Sequence, residues 1–559
     1  ALVLAALGAA AAARPTETPH APQQEPAKTA QPTFAISGRG WGHGVGMSQW
    51  GALGFAQRGY PFGRIVAHYY PGTALERAPV TRVRVLLDRD EGPRTLGSMR
   101  PIRVRDASGE LYEAGAGPHE LGPGLRLLAR KVSAATGKGV AKPEAAQSKP
   151  RRLALRTLLP PVLISPGEAP LELDGKLYRG QLELSLKRKR LRVINIVRLE
   201  AYLYGVVPDE VPHRWLPEAL KAQAVVARSY ALAVRKAGDF DLYDDVRSQV
   251  YGGMAAEEPE TTAAVDATAG QVLTYGGRVA TTFFFSTSGG RTAAIADVWS
   301  GSAAVPYLVS VEDPYDAISP LHTWGPFRYT AARLKQALGV KGRLLDVRTE
   351  LNPSGRAARV VGVGTETEAG LPAVDLREKL ALRSTYFRVG VLALEQPAAP
   401  VVYGTSVPLE GIARDLPGIL LQRRASATAW ESAGSVASGR DGRFSLPASP
   451  LVSTEYRLAS GEVTSAPVRV EVAPAVTLVR APGPGELRGA ARPALPGATV
   501  VVQRLAGPIW RDLAGATLDA RGAFSARLEL RPGSYRARVN APGRGLAAGT
   551  SPPLLVAAP

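Results

Sequence analysis

Cysteine is absent from the 559-residue sequence, and methionine and histidine are scarce, with three and six residues. The absence of cysteine excludes disulfide bonds, zinc sites built from thiolates, and thiol nucleophiles. It says little about the cellular compartment, because many exported proteins also lack cysteine. The remaining composition, 45% apolar and 21% charged, is typical of a soluble globular protein, and the length predicts about three to four domains.

Long apolar runs are also scarce. Ala1–Ala13 is an apolar run that ends in small residues, and it is too short to span a bilayer. It has the character of the apolar core and cleavage zone of a secretory signal, although a longer N-terminus would turn it into a membrane anchor. Residues 14–33 carry five prolines and almost no large apolar residue, which predicts a disordered linker in an exported protein.

Acidic residues are outnumbered, because 68 Lys and Arg face 49 Asp and Glu and leave a net charge of 68 − 49 = +19. Such a charge predicts attraction to polyanions, either nucleic acid or an anionic cell envelope. Basic runs such as Lys187–Arg190 lie beside alternating sequence, which also fits a solvated face of a sheet. No motif of the known nucleic-acid-binding modules is present, so we expect no nucleic-acid partner.

Glycine, by contrast, is concentrated in Gly38–Ala52, which reads GRGWGHGVGMSQWGA and has glycine at alternate positions from Gly38 to Gly46. The run does not match GxGxxG in register and no Lys-Ser/Thr pair follows it, which excludes a nucleotide-binding loop. Because glycine adopts positive φ and lets another chain approach closely, the stretch predicts the wall of a cleft that holds the Trp41 indole and the His43 imidazole.

Helical and strand patterns both occur, which predicts an α+β fold. Residues 80–86 and 182–197 alternate as strands do, residues 54–70 suggest short helical turns, and residues 133–152 are typical of a flexible insertion. Pro217–Lys236 is the clearest helix, since proline suits the first turn and small or apolar residues recur at three- and four-residue steps. Its predicted buried stripe consists of Leu220, Ala224, Ala227, Ala231 and Val234.

From about Gln396 the sequence becomes rich in Val, Pro and Gly, and short matches recur in the same order at offsets of 79 or 80 residues. They predict two all-β, sandwich-like repeats at 396–473 and 474–559, of a kind that spaces, stiffens or binds. The matched residues are Leu416–Gly418 with Leu495–Gly497, Trp430 with Trp510, Gly442–Phe444 with Gly522–Phe524, and Tyr456–Arg457 with Tyr535–Arg536.

Two acidic residues, Asp209 and Glu210, stand between Pro208 and Pro212, just ahead of the predicted helix. The prolines predict a rigid loop. A carboxyl group walled there by aromatic side chains would be desolvated, which raises its pKa and suits a general acid. The alternative, from these residues alone, is an ordinary exposed carboxylate.

Several long segments around this acid share one family pattern. They are Tyr178–Gly180, residues 191–232, Ser248–Gly252, Phe285–Thr292, Val298–Trp299, Pro306–Leu308, Leu382–Phe387 and the glycine-rich stretch. Together they resemble the stage II sporulation protein D family, also called SpoIID/LytB, over about residues 34 to 394. The resemblance predicts one α+β catalytic domain of the SpoIID type at 34–395.

The resemblance implies an exported, cell-wall-associated protein whose partner is the glycan strand of peptidoglycan. The best-known members of the family are lytic transglycosylases that cleave the MurNAc–GlcNAc bond of strands stripped of stem peptides, and their catalytic acid corresponds to Glu210. Another branch consists of amidase enhancers. A protein that binds glycan or activates a cell-wall amidase, without cutting, is therefore the alternative.

One carboxylate suffices for the implied reaction, whereas most glycosidases use two. Protonated Glu210 would donate its proton to the leaving oxygen. The resulting carboxylate would then accept the proton of the sugar's own 6-hydroxyl as that oxygen attacks C1, which gives a 1,6-anhydro end. A cleft that excludes water favours this outcome.

Three features depart from the family pattern. The Gly-His-Gly stretch usually follows the segment that is Leu382–Phe387 here, which predicts a circular permutation with residues 34–72 folded back beside Leu382–Val389. Some members bind zinc through Cys and His near the segment that is Phe285–Arg291 here. Because this segment has neither residue, we expect no metal and no other cofactor. Asp209 replaces a common serine and points either into the cleft, raising the pKa of Glu210 further, or to solvent.

Further candidates for substrate binding are less specific. His43 either binds a sugar hydroxyl or orients Glu210, or else it caps backbone in a tight loop, and Gln49 is either a polar group of the cleft or a loop cap. Lys221 and Arg228 on the predicted helix bind N-acetyl or lactyl groups, or they are solvated. The full predicted substrate-binding set is His43, Gln49, Trp41, Lys221, Arg228, Gln249, Tyr251 and Ser288. No His and Asp are placed by motif to make a nucleophile of this serine.

Overall fold

The computed structural model describes residues 31–87, 92–132, 152–188, 190–299, 301–426 and 428–557. The predicted signal segment, most of the predicted linker and the predicted insertion up to residue 151 lie outside these residues. The chain divides into two compact units. Of the described residues, one unit comprises those in 36–327 and 332–389, and the other comprises those in 31–35, 328–331 and 390–557. No helix among the described residues has both the length and the apolar character needed to cross a membrane.

The helices are short except for one. They are α1 (Gln49–Ala56), α2 (Phe62–Tyr69), α3 (Leu199–Tyr204), α4 (Val207–Glu210), α5 (Pro217–Ala233), α6 (Pro259–Ala267), α7 (Ile295–Val298), α8 (Ala331–Leu338) and α9 (Ala373–Leu380). Turns of 3₁₀ helix lie at Gly253–Ala256 and Asp316–Ile318.

The strands up to residue 394 are β1 (Thr33–Arg39), β2 (Met47–Ser48), β3 (Ala74–Arg77), β4 (Arg82–Leu86), β5 (Arg94–Ser98), β6 (Ile102–Arg105), β7 (Leu111–Ala114), β8 (Gly117–Leu121), β9 (Arg126–Val132), β10 (Ala154–Thr157), β11 (Val162–Ser165), β12 (Leu171–Leu173), β13 (Lys176–Tyr178), β14 (Gln181–Lys187), β15 (Arg190–Arg198), β16 (Leu242–Tyr243), β17 (Gln271–Tyr275), β18 (Arg278–Val279), β19 (Phe284–Phe285), β20 (Thr323–Tyr329), β21 (Leu344–Leu351), β22 (Ala357–Gly364), β23 (Glu368–Pro372) and β24 (Phe387–Leu394).

The strands after residue 394 are β25 (Val401–Val402), β26 (Val407–Arg414), β27 (Leu420–Ala425), β28 (Glu431–Ser435), β29 (Arg443–Ala448), β30 (Thr454–Ser460), β31 (Val463–Thr464), β32 (Val468–Val470), β33 (Val472–Ala473), β34 (Ala475–Arg480), β35 (Glu486–Arg492), β36 (Thr499–Ala506), β37 (Ile509–Thr517), β38 (Ala523–Arg527), β39 (Gly533–Asn540), β40 (Gly549–Thr550) and β41 (Leu554–Val556).

A nine-stranded sheet organises the first unit, in the spatial order β10-β9-β7-β6-β11-β14-β15-β4-β16. All neighbours in it are antiparallel except β16, which pairs in parallel with β4. The alternating sequence at 182–197 forms a hairpin of two strands, with Lys187 opposite Arg190. Left-handed backbone at Arg188, φ 51°, makes the turn that the alternation alone does not reveal.

Helix α5 confirms the helix predicted at Pro217, although it ends at Ala233 rather than Lys236. Its predicted stripe, from Leu220 to Ala231, is buried in a hydrophobic cluster that also contains residues of the nine-stranded sheet. The opposite face, which includes Val225, is buried in a second cluster with α1 and α2. The helix therefore lies between two hydrophobic clusters, and its small side chains allow both to approach closely.

The glycine-rich stretch uses positive φ at each alternate glycine from Gly40 to Gly46, with values between 70° and 112°. At Gly44 an added Cβ would lie 2.5 Å from the buried Arg356 guanidinium, and at Gly46 it would lie 2.0 Å from the Phe283 carbonyl oxygen. Both the conformation and the close approach predicted for this stretch are confirmed.

The stretch contacts the segment that starts at Leu382. The Arg39 N–H donates to the Tyr386 carbonyl at 2.8 Å, and the Gly42 N–H donates to the Arg383 carbonyl at 3.0 Å. The two segments are therefore neighbours in space although almost the whole unit separates them in sequence. The permutation that the sequence suggests stays a prediction.

The chain from residue 390 to 557 contains strands and no helix among its described residues. Two of its sheets have the same plan: β28-β27-β30-β31 with β32 also on β30, and β37-β36-β39-β40 with β41 also on β39. The two sheets also carry equivalent pairs of side chains. The guanidinium of Arg457 lies 4.2 Å from the centre of the Trp430 ring, and that of Arg536 lies 4.4 Å from the centre of the Trp510 ring. The C-terminal part is thus mostly β, as predicted.

Candidate active site

Glu210 is the last residue of α4, a single helical turn rather than the loop that the sequence predicts. Pro208 lies in the first turn, where its missing N–H costs no hydrogen bond, and the chain becomes extended at Val211. Val207 and Val211 are buried in the cluster beneath the sheet, which pins the turn from both ends.

The Glu210 carboxyl group is half-buried, and none of the described residues donates a hydrogen bond to it. Burial, together with the neighbouring charge of Asp209, raises the pKa of Glu210 from its ordinary 4.5 to about 7. A substantial fraction of the group is therefore protonated at neutral pH, which is the state required of a general acid.

Asp209 has different surroundings although it is the adjacent residue. It is exposed at the surface and lies near the Gly252 main chain, whose own N–H donates to the Gly205 carbonyl oxygen at 3.0 Å. Burial nevertheless raises its pKa above the ordinary value. Of the two orientations considered from sequence, the structure has the one toward the surface, yet the group is close enough to act on Glu210.

Two tyrosine side chains lie near Glu210, in line with the aromatic neighbours that the sequence predicts. The negative charge of Glu210 adds to burial in raising the pKa of both Tyr230, on α5, and Tyr202, on α3. Trp215 packs between the two hydrophobic clusters with its ring centroid 5.2 Å from that of Trp50. Sequence reasoning missed Tyr202, because no spacing rule links α3 to the acid.

Gln49 is the first residue of α1, and the structure brings its side chain directly to the acid. The Nε2 donates to the main-chain carbonyl oxygen of Glu210 at 3.1 Å. The preceding Ser48 caps the helix, since its Oγ accepts from the Gly51 N–H at 3.1 Å. The capping role that the sequence offered for Gln49 is therefore filled by Ser48, and Gln49 instead contacts the main chain of the candidate acid.

His43 uses both ring nitrogens on backbone. Its Nδ1 accepts from the Val45 N–H at 3.1 Å, so Nε2 carries the proton that is donated to the Phe284 carbonyl oxygen at 3.0 Å. Burial lowers the pKa of His43 to about 4, so the ring is neutral at physiological pH. In this structure neither nitrogen is free for a sugar or for Glu210, and the predicted substrate contact is replaced by a structural one.

Trp41, two residues away, is 49% exposed, and its main chain pairs with Thr287 in both directions, at 2.8 and 3.1 Å. Its indole is a large exposed apolar surface on an anchored backbone. Among the aromatic residues of the glycine-rich stretch, its side chain has the exposure that stacking of a sugar requires.

The two basic candidates on α5, Lys221 and Arg228, differ in their exposure to solvent. Lys221 is partly exposed and pairs with Glu218 at 2.7 Å. Arg228 is fully buried, and it bonds to the Glu200 carboxylate and to main-chain carbonyls that include that of Val265. The substrate-binding role predicted for Arg228 is therefore corrected, because a side chain with no accessible surface contacts no glycan.

Three further candidates are also buried. Tyr251 donates to the Asn195 Oδ1 at 3.0 Å, and Gln249 accepts through Oε1 from the Tyr202 hydroxyl at 3.3 Å. The Oγ of Ser288 accepts from the Gly290 N–H at 3.1 Å. These three residues are at most 5% exposed, so they offer almost no surface for the direct substrate contact predicted for them.

Asp316, which no sequence signal singled out, organises the other side of the site. It is fully buried and accepts from the Ser48 Oγ at 2.8 Å, the Ser288 N–H at 2.8 Å and the Gly289 N–H at 2.9 Å. His322 lies 2.9 Å from the same carboxylate. Asp316 thus ties the start of α1 to the Ser288 loop.

Within the described residues, the group best placed to hold a cation is His213 with Glu258 and Glu260, whose ligand atoms lie within 4.8 Å of one another. The imidazole Nδ1 is 3.1 and 3.4 Å from the two carboxylates. Ordinary polar contacts between the imidazole and the two carboxylates account for these distances, and the group offers too few ligands for a closed structural site.

The sequence profile of the family described as Stage II sporulation protein matches residues 187–275, the segment that contains Glu210 and α5. A protein of Bacillus subtilis (strain 168) called Stage II sporulation protein D is 35% identical over 237 residues, which is 38% of this chain and 66% of that protein. The chain thus spans slightly less than two thirds of this relative.

The Amidase enhancer of the same organism is 42% identical over 148 residues, or 26% of this chain and 20% of that protein. Among solved structures, a tetra-tandem repeat from the extending region of a large adhesion protein covers 38% of this chain and 66% of that one, with 18% identity and a TM-score of 0.15. A score this low supports no conclusion about fold or function.

Proposed function

Because the chain contains a domain of the SpoIID/LytB family, we propose that the protein is a cell-wall protein that cleaves peptidoglycan glycan strands as a lytic transglycosylase. The observation that supports this most directly is Glu210. It is a half-buried carboxyl group with its pKa raised to about 7, held on a short helical turn near Tyr202 and Tyr230.

The proposed chemistry uses Glu210 twice. Its proton passes to the glycosidic oxygen as the bond from that oxygen to C1 breaks, and the leaving strand departs with a hydroxyl group. The sugar's 6-oxygen then bonds to C1 and its proton returns to the Glu210 carboxylate, so the enzyme ends in its starting state. Water is not consumed, and one product carries a 1,6-anhydro end.

The surroundings favour both halves of this cycle. A raised pKa makes protonated Glu210 available at neutral pH, and a carboxylate that receives no hydrogen bond recovers its proton readily. The burial of Glu210, with Tyr230 near it, would limit access of water, which disfavours hydrolysis of the cationic sugar relative to ring closure.

Purified protein should release 1,6-anhydro-MurNAc ends, detected by mass spectrometry, from glycan strands stripped of stem peptides. Glu210→Gln should abolish this product, whereas Glu312→Gln, a matched change at an exposed glutamate paired with Arg291, should leave it unchanged. Product that persists undiminished in Glu210→Gln would overturn the assignment of the acid.

The second candidate function is activation of a cell-wall amidase without cutting, and the 42% identity to a protein named Amidase enhancer favours it. Under this alternative the protein retains glycan in a pull-down and releases no anhydro ends. It also raises the rate at which an added amidase frees stem peptides, and Glu210→Gln raises that rate equally.

We further infer that the protein is exported and wall-associated, that the C-terminal strands are two copies of one β-sandwich-like module, and that the glycine-rich stretch is a permuted part of the domain. The +19 charge supports the first inference, and the equal strand orders of the two sheets support the second. The third is supported by the hydrogen bonds from Arg39 and Gly42 to the segment that starts at Leu382. Fractionation of cells would test the location, and separate expression of each module would test the repeat. A rearranged chain that restores the usual order of segments would test the permutation.

A further inference from the structure

We propose that Gln49 is a positioning residue for Glu210, which holds the main chain of the acid in place and does not bind the glycan. The proposal rests on the proposed function in one respect, since it assumes that Glu210 is the acid. It replaces the sequence-based prediction that Gln49 contacts the substrate.

The carbonyl oxygen of Glu210 needs an outside partner. It lies at the C-terminal end of the one-turn helix α4, where the last carbonyl groups have no partner within the helix. The turn closes with the bond from the Val211 N–H to the Val207 carbonyl at 3.2 Å, which leaves the Glu210 carbonyl pointing onward. The Gln49 Nε2, at 3.1 Å, supplies the bond that the helix does not.

Gln49 is itself firmly held. It is 8% exposed and opens α1, whose cap Ser48 bonds both to the Gly51 N–H and to the buried Asp316. The neighbouring Trp50 N–H donates to the Ser286 carbonyl at 3.0 Å. A side chain projecting from such a fixed helix start transmits little motion to the group it binds.

Two more contacts fasten the same pair of segments. The Trp50 ring meets the Trp215 ring edge-on at 5.2 Å, and the Phe62 N–H donates to the Glu218 Oε2 at 2.7 Å. The chain from 210 to 218 is thus attached at its start, middle and end to residues between 49 and 62. Among these attachments the Gln49 bond is the one that acts on Glu210 itself.

The direction of the Glu210 side chain follows from its backbone, so loss of the Gln49 bond should let the carboxyl group shift toward solvent. A shift of about 1 Å costs up to about 100-fold in rate when geometry limits a reaction. The affinity for glycan should change little, because Gln49 is only 8% exposed and offers little surface to it.

The test compares Gln49→Ala and Gln49→Asn with Gln57→Ala, a matched control at the exposed C-cap of the same helix. Asparagine keeps the amide but is one methylene shorter, so it retains a polar side chain and loses the bond. Initial rates on stripped glycan give kcat and KM. NMR of protein labelled with ¹³C-glutamate, assigned through Glu210→Gln, follows the titration of Glu210 whether or not product forms.

The expected result is a kcat lowered about 10- to 100-fold in both Gln49 variants, with KM within about twofold, and a pKa of Glu210 moved toward its ordinary value by at least about half a unit. Gln57→Ala should match the wild type. If the Gln49 variants titrate like the wild type, the proposal is overturned even when the wild type makes no product. If the wild type makes no product but the titration moves, the positioning role stands and the proposed activity fails. Should Gln49→Ala unfold, the titration of Gln49→Asn decides between these outcomes.

Discussion

Asp209 and Glu210 are adjacent carboxylic acids in one helical turn, and the negative charge of Asp209 raises the pKa of Glu210. Asp209 is exposed, whereas Glu210 is half-buried and receives no hydrogen bond from the described residues. Burial is the larger cause of the raised pKa of Glu210, and the charge of Asp209 is the smaller one.

Cleavage of glycan by the wild type should therefore decline as pH rises through about 7, because the acid must be protonated. In Asp209→Asn the like charge is gone, so the pKa of Glu210 should fall by about 0.5 to 1 unit and the decline should begin at lower pH. The pKa should stay above 4.5, since burial remains. A pH–rate profile that is identical in the two proteins would contradict this role of Asp209.

Glu210→Gln should be more stable than the wild type at neutral pH. The folded-state pKa, about 7, exceeds the ordinary 4.5 of the unfolded chain, so the native state binds the proton more tightly. The wild type therefore loses stability as pH rises from about 4.5 to about 7, while the amide does not titrate. Thermal melts should show a Tm a few degrees higher for the variant at pH 8 and nearly equal values at pH 4. A constant difference at both pH values would refute the linkage.

Arg228→Met should destabilise the protein by about 3 to 5 kcal/mol, because it leaves the Glu200 carboxylate without its buried partner. Lys221→Met, on the same helix, removes a pair with Glu218 that is open to solvent and should cost less than about 1 kcal/mol. Urea unfolding measures both. Equal midpoints for the two variants would show that Arg228 is not a structural residue.

Gly46→Ala should cost more than about 3 kcal/mol, because φ is 78° and the new Cβ would lie 2.0 Å from the Phe283 carbonyl oxygen. Gly115→Ala is the matched control, since nothing lies within 4 Å of its added Cβ. Soluble yield and the free energy of unfolding compare the two. A stable Gly46→Ala protein would mean that the glycine-rich stretch relaxes more freely than its contacts indicate.

Local sequence patterns predicted a helix or a turn well where the spacing of the residues and their conformational preferences indicated the same structure. The stripe from Leu220 to Ala231 lies on a buried helix face, and the alternate glycines from Gly40 to Gly46 all adopt positive φ. The hairpin turn at Arg188 was hidden, because the alternation of apolar residues continues through it on both strands. The single turn at Glu210 was also hidden, since two flanking prolines fit a loop equally well.

The sequence by itself determined that Glu210 stands on a rigid segment before a helix and that a glycine-rich stretch approaches other backbone closely. Only the tertiary structure decided which polar side chains meet there. It turned His43 onto backbone, buried Arg228 against Glu200, and brought Gln49 to an acid 161 residues away. Periodicity records which face of an element is buried, whereas pairing between distant polar groups depends on how whole elements pack, and no local spacing carries that information.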